Sequence, residues 1–137
     1  MPEPRFDNTQ QKTLNHCGVQ AVYLFGSHAQ KKAGPLSDYD YGILMPEPGH
    51  SRGDPLYFQL YDILSKISKR TLKNDTIDIV FLRDAGLEIL FHIIRYGVVL
   101  YERDPKKRLD FEAAATLRYC DYRPILNCFD QTILKAL

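Results

Sequence analysis

The chain has 137 residues, of which 45% are hydrophobic, 12% aromatic and 26% charged, a composition that excludes a disordered, collagen-like or low-complexity polypeptide. Eighteen Lys and Arg against 17 Asp and Glu leave a formal charge of +1, so no chain-wide field draws the protein onto nucleic acid or anionic lipid, and direct nucleic-acid binding is not expected. The polar start, Met1 to Gln11, has no leader pattern, and no apolar run approaches the ~18 residues that span a bilayer, which predicts a cytoplasmic protein without membrane contact.

A chain of this size buries enough surface for one hydrophobic core, so residues 1–137 are expected to form a single domain, with 105–137 as a C-terminal helical extension. Thr9 is placed to cap a first helix that Gly18 ends, with Phe6, Leu14 and Cys17 as its apolar positions. Val19 to Phe25 is an apolar, β-branched and aromatic run closed by Gly26 and Ser27, the pattern of a buried strand entering a turn. After Gly34-Pro35, the segment Ser37 to Met45 alternates, with Tyr39, Tyr41 and Ile43 on one face and Asp38, Asp40 and Gly42 on the other.

Pro46 to Gly53 reads as a loop, and Asp54-Pro55 as a cap with proline at the first helical position. Leu56, Leu60, Ile63, Leu64 and Ile67 then recur at helical spacing. Ile77 to Leu82 reads as a strand with Asp78 inside it. Asp84 is expected to cap a helix with apolar positions Leu87, Leu90, Phe91 and Ile94, ended by Gly97, and Val98 to Tyr101 as a short last strand. Asp104-Pro105 opens a helix to about Tyr119, and Pro124 is expected to break or restart it, leaving Ile125, Leu126, Phe129, Ile133, Leu134 and Leu137 as the stripe of a second helix. The strand and helix alternation predicts an α+β fold, a small mixed β-sheet flanked by helices and followed by C-terminal helices.

Cys17, Cys120 and Cys128 make no CxxC pair, and on one straight helix Cys120 and Cys128 lie ~12 Å apart, beyond the ~7 Å limit for a disulfide. All three are expected to be reduced, buried thiols. The run Arg103, Lys106, Lys107, Arg108 has acidic neighbours at Asp104 and Asp110 and reads as a solvated helix face. His16, His50 and His92 lack metal-ligand spacing, and His92, in an otherwise apolar helix, reads as a core or interface residue.

The informative constellation is Gly26-Ser27, ten residues, then Asp38-Tyr39-Asp40, with Asp78 on a later strand. Asp38 and Asp40, separated by one residue on a strand, share a face. At ~4 Å and an effective dielectric of ~20 two such charges repel by roughly 4 kcal/mol, so they call for a cation, a shared proton or free hydration. Hard oxygen ligands of this kind suit Mg²⁺ carrying substrate phosphate. A strand ending in Gly-Ser before a short helical segment offers backbone N–H groups and a hydroxyl to an anion. Asp78, among Ile77, Ile79, Val80 and Phe81, needs pairing or coordination if buried. If its strand neighbours that of Asp38 and Asp40, the three acids converge on a site able to hold divalent metal for phosphoryl-type displacement.

Leu24-Phe25-Gly26-Ser27, the ten-residue spacer, Ser37-Asp38-Tyr39-Asp40 and Ile77-Asp78-Ile79-Val80 resemble the GS-x10-DxD signature of the DNA polymerase β-like nucleotidyltransferases, in particular the minimal nucleotidyltransferase (MNT) antitoxins. Tyr96 to Asp104 and the tail from Phe111 through Tyr122-Arg123-Pro124 resemble the C-terminal half of those antitoxins. The resemblance implies a polymerase β-like nucleotidyltransferase fold and a Mg²⁺-dependent transfer of AMP from ATP to a tyrosine hydroxyl of a HEPN-domain ribonuclease toxin, in a hetero-oligomer with that toxin. It implies that Gly26 and Ser27 hold the nucleotide, that Asp38, Asp40 and Asp78 are catalytic and bind metal, and that Asp78 helps activate the attacking hydroxyl. Where the family often reads G-S-R-A-R-G, this chain has His28, Gln30 and Lys31; Lys31 and Lys32 either restore the positive charge or are solvated. Two other readings stay open: a toxin masked by binding alone, and a small-molecule acceptor.

Overall fold

The computed structural model describes residues 4–26, 29, 39–68 and 77–136, the side chains of 122–136 excepted. Strands β1 (Ala21–Phe25), β2 (Tyr39–Leu44), β3 (Ile77–Phe81) and β4 (Val98–Glu102) form one mixed sheet in the order β3-β2-β1-β4. β1 pairs antiparallel with β2 and with β4, whereas β2 and β3 are parallel. The α+β expectation, a small mixed sheet flanked by helices, holds.

Alternation along the strands builds two apolar layers. On one face Val22, Leu24, Tyr39, Tyr41, Ile43, Ile77, Ile79 and Phe81 pack with Leu14 of helix α1 (Asn8–His16) and with Leu60, Ile63 and Leu64 of α2 (Pro55–Ile67). On the other, Ala21, Tyr23, Phe25 and Leu44 pack with Leu90 and Ile93 of α3 (Leu87–Tyr96) and with Ala115 of α4 (Pro105–Ala136). Ile93, fully buried, is a core position that the sequence pattern did not single out.

Several local expectations are corrected. The N-cap of α1 is Asp7, whose carboxylate accepts the Gln10 N–H at 2.7 Å while the Gln10 side chain accepts the Asp7 N–H at 2.9 Å. This reciprocal pair satisfies two groups where Thr9 would have satisfied one; the Thr9 carbonyl accepts from Thr13 inside the helix. The N-cap of α3 is Gly86 rather than Asp84, which closes a short 3-10 turn, Leu82–Asp84. Gly97 does end α3, but at φ −74°, so handedness does not require glycine there; close approach does, because a Cβ would lie 2.4 Å from the Ile93 carbonyl oxygen.

α4 runs unbroken from Pro105 to Ala136, so Pro124 does not split it in two. An interior proline removes one backbone hydrogen bond, and a helix of 32 residues continues past that single loss. Cys17 is half-buried and Cys120 exposed, so Cys120 is not the buried thiol expected; both are free. His92 is exposed against the Tyr96 ring, 5.1 Å away, rather than in the core. Arg108 leaves the solvated basic run to join a carboxylate cluster. No described helix is long and apolar enough to cross a membrane.

Candidate active site

The parallel pairing of β2 with β3 places Asp40 directly beside Asp78. Each is flanked along its strand by residues of the α1/α2 core, Tyr39 and Tyr41 for Asp40, Ile77 and Ile79 for Asp78, so by alternation both carboxylates stand on the α3/α4 face. Neighbouring strands run about 4.8 Å apart, within reach of one shared cation. In the antiparallel pairing Phe25 lies opposite Asp40, and Gly26 follows at the strand's end.

Gly26 is required at its position twice over. Its φ of +75° is in the region L side chains avoid, and a Cβ there would lie 2.3 Å from the Asp40 Oδ2. The turn therefore passes directly over the Asp40 carboxylate. Asp40 and Asp78, in register on adjacent strands, are hard oxygen donors of the kind that suits a divalent metal carrying phosphate oxygens. Asp38 and Ser27, and with them His28, Gln30, Lys31, Lys32 and the Gly34-Pro35 turn, lie outside the described residues. Among the described residues no three His, Cys, Asp or Glu stand close enough to hold a metal; of the three acids in the constellation only Asp40 and Asp78 belong to that set.

Asp78 is on an edge strand, and its side chain is 51% exposed. The desolvation cost that a central strand would impose is therefore small, and the residue finds a partner from outside the sheet. Arg52 Nη2 donates to Asp78 Oδ1 at 3.2 Å. Arg52 belongs to the loop 46–54, which the described contacts tie along the β3 edge. Asp84 accepts the N–H groups of Gly49 (2.8 Å) and His50 (3.2 Å), and these bonds hold its carboxyl below the usual carboxylate range. The His50 ring stands 5.3 Å from that of Phe81, and Asp54, although it is the N-cap of α2, accepts the Ser51 N–H rather than a helical one. Arg52 was not singled out from the sequence, Asp84 was read only as a helix cap, and His50 only as a histidine without metal-ligand spacing. One arginine between Ser51 and Gly53 in a Pro- and Gly-containing loop carries no spacing signal; only the fold brings it to Asp78.

Two cavities among the described residues lie away from the acids. One of about 440 Å³, lined by Gln20, Pro46, Arg103, Asp104, Pro105 and Lys107, opens at the far end of β1 and β2 from Gly26 and Asp40.

A mixed sheet with a glycine turn and in-register acids on adjacent strands defines a nucleotidyltransferase-type fold and site. Residues 8–106 match the family model "Polymerase beta, Nucleotidyltransferase", and the chain belongs to that family. Solved structures agree on the fold. A chain of a toxin–antitoxin complex with AMP-PNP superposes with a TM-score of 0.70 at 19% identity, covering 94% of this chain and 99% of that one. A chain of an MntA–HepT toxin–antitoxin complex gives 0.62 at 16% identity, over 93% and 99%. A chain of the complex of tri-AMPylated Shewanella oneidensis HEPN toxin with MNT antitoxin gives 0.61 at 15% identity, over 92% and 97%. No curated protein matches the chain.

Proposed function

We propose that this protein is an MNT antitoxin that transfers AMP from ATP to a tyrosine hydroxyl of a cognate HEPN ribonuclease toxin, and that it works in the cytoplasm as a hetero-oligomer with that toxin. The observation that carries the reading is the in-register pair Asp40 and Asp78 beside the Gly26 turn. The similarity to chains of toxin–antitoxin complexes, one with AMP-PNP and one with an AMPylated HEPN toxin, supports it.

In this reading Gly26 and Ser27 hold the triphosphate, and Asp38, Asp40 and Asp78 hold Mg²⁺. When bound, the metal supplies positive charge against the charge that develops on the reacting phosphate. The acceptor oxygen forms a bond to the α-phosphorus of ATP, the bond from that phosphorus to the bridging oxygen breaks, and pyrophosphate leaves with the electron pair. The acceptor's proton passes to the Asp78 carboxylate, whose half-exposed place on the edge strand leaves it accessible to an incoming hydroxyl.

The test is Asp78→Asn, which removes the charge while nearly preserving shape. Wild type and variant are incubated with ATP, Mg²⁺ and the cognate HEPN toxin. Nucleotide addition is read by intact mass, and silencing by ribonuclease activity. The expected result is a loss of transfer of about 10²–10⁴-fold with complex formation retained. A variant that adds no nucleotide yet silences the toxin fully would show that the protein acts by masking.

A further inference from the structure

We propose that Arg52 is an acceptor-side positioning residue, which aims the Asp78 carboxylate from the edge strand and so sets the rate of transfer without contributing to nucleotide binding. The inference rests on the reading of Asp78 as the group that takes the acceptor's proton.

Three observations carry it. Across the sheet the order is Gly26 at the end of β1, Asp40 on β2, Asp78 on β3 and then Arg52 beyond the edge. With strands about 4.8 Å apart, Arg52 contacts the acid farther from the Gly26 turn, the side on which this reading places the acceptor. Second, Asp78 is half-exposed on an edge strand, and its carboxylate is contacted by Arg52 at 3.2 Å. An ion pair exposed on both sides biases the carboxylate's position by about fivefold at most, and a misplaced base transfers a proton more slowly. Third, Arg52 is not carried on a loose segment. The bonds from Gly49 and His50 to Asp84, the His50 ring on Phe81, and the Ser51 to Asp54 bond anchor the loop on both sides of it. Asp84 therefore acts on Asp78 through Arg52, although it lies six residues farther along the chain, past the end of β3.

The experiment compares wild type, R52A, R52K, D84N and the R52A/D84N double variant of the whole chain, with ATP, Mg²⁺ and the cognate HEPN toxin, following AMP addition by intact mass at several ATP concentrations. R52A is expected to lower kcat about two- to fivefold with KM for ATP and Tm unchanged, R52K to recover part of the rate, and D84N to slow transfer in the same direction. Because both single changes act on one contact, the double variant should be no slower than R52A. An unchanged or faster R52A, a loss expressed in KM for ATP, or a fall in Tm that accounts for the loss would each overturn the inference. A folded wild type that adds no AMP would instead overturn the transfer reading itself, and this inference with it.

Discussion

Two charged clusters occupy the same face of the same sheet and are built in opposite ways. At one, Tyr23 donates to Glu112 at 3.0 Å, Arg108 Nη1 donates to both Glu112 oxygens at 2.9 and 3.0 Å, and Arg108 Nε donates to Glu102. Arg108 and Glu112 are each 17% exposed. Every element of this cluster is tied to another: β1 through Tyr23, β4 through Glu102, and α4 through Arg108 and Glu112. At the other, Asp40 and Asp78 lie side by side with like charge, and the contact Asp78 makes with Arg52 is 75% exposed on the arginine side. The first arrangement neutralises charge inside the protein to fix a helix on the sheet. The second sets like charges side by side, Asp40 partly buried and Asp78 half-exposed, an arrangement that a bound cation would relieve.

That contrast can be broken by exchanging its consequences. Asp40→Asn, in the second cluster, is expected to reduce AMP transfer by about 10³-fold, the equivalent of about 4 kcal/mol of transition-state stabilisation, while Tm falls by less than it does in Arg108→Ala. A large drop in Tm with little change in rate would reverse the assignment.

Arg108→Ala should do the opposite. It leaves Glu112 largely buried without its cation, which costs about 3 kcal/mol and lowers Tm on the order of 10 °C, whereas the transfer rate of the molecules that remain folded is kept. Calorimetry together with intact-mass kinetics separates the two effects. Tyr23→Phe sharpens the same point at a smaller scale. It removes one hydrogen bond to Glu112, which Arg108 still satisfies, so a chemical denaturation curve should shift by about 1 kcal/mol with no change in transfer.

The smallest effect is in pH. Burial, followed by the adjacent Glu112 charge, raises the Tyr23 phenol above its ordinary value, and burial raises that of Tyr41. A group whose folded value is raised contributes stability in full below its unfolded value, near 10, and loses it as pH rises through the folded one. Stability should therefore be flat through neutral pH and decline only in strong alkali. Phenolate absorbance should show these two tyrosines ionising with unfolding rather than before it; their titration in the folded protein would contradict the burial.

Periodicity made much of the molecule legible. The positions of all four strands, the α2 stripe at Leu60, Ile63 and Leu64, and the facing of Tyr39, Tyr41 and Ile43 follow from spacing alone, because burial of one face selects period 2 or 3.6 wherever a sheet or helix forms. Helix starts were less legible. Asp7 and Gly86 displaced Thr9 and Asp84 because several Asp, Thr and Gly residues stand near each boundary, and the geometry that decides among them is set by which donors are left over after packing.

What the sequence by itself determined is the local chemistry: a glycine turn at Gly26, an acid at Asp40 on a strand with its neighbours on the opposite face, and a further acid at Asp78 within a strand. Only the tertiary structure decided that β3 lies parallel beside β2, which sets Asp78 against Asp40 across 38 residues of chain, and that Arg52 meets Asp78. Strand order is chosen by how the whole sheet buries its two faces, a quantity no local pattern contains. Arg52 reaches the site because a loop held by Asp84 lies along the exposed edge that this order leaves open.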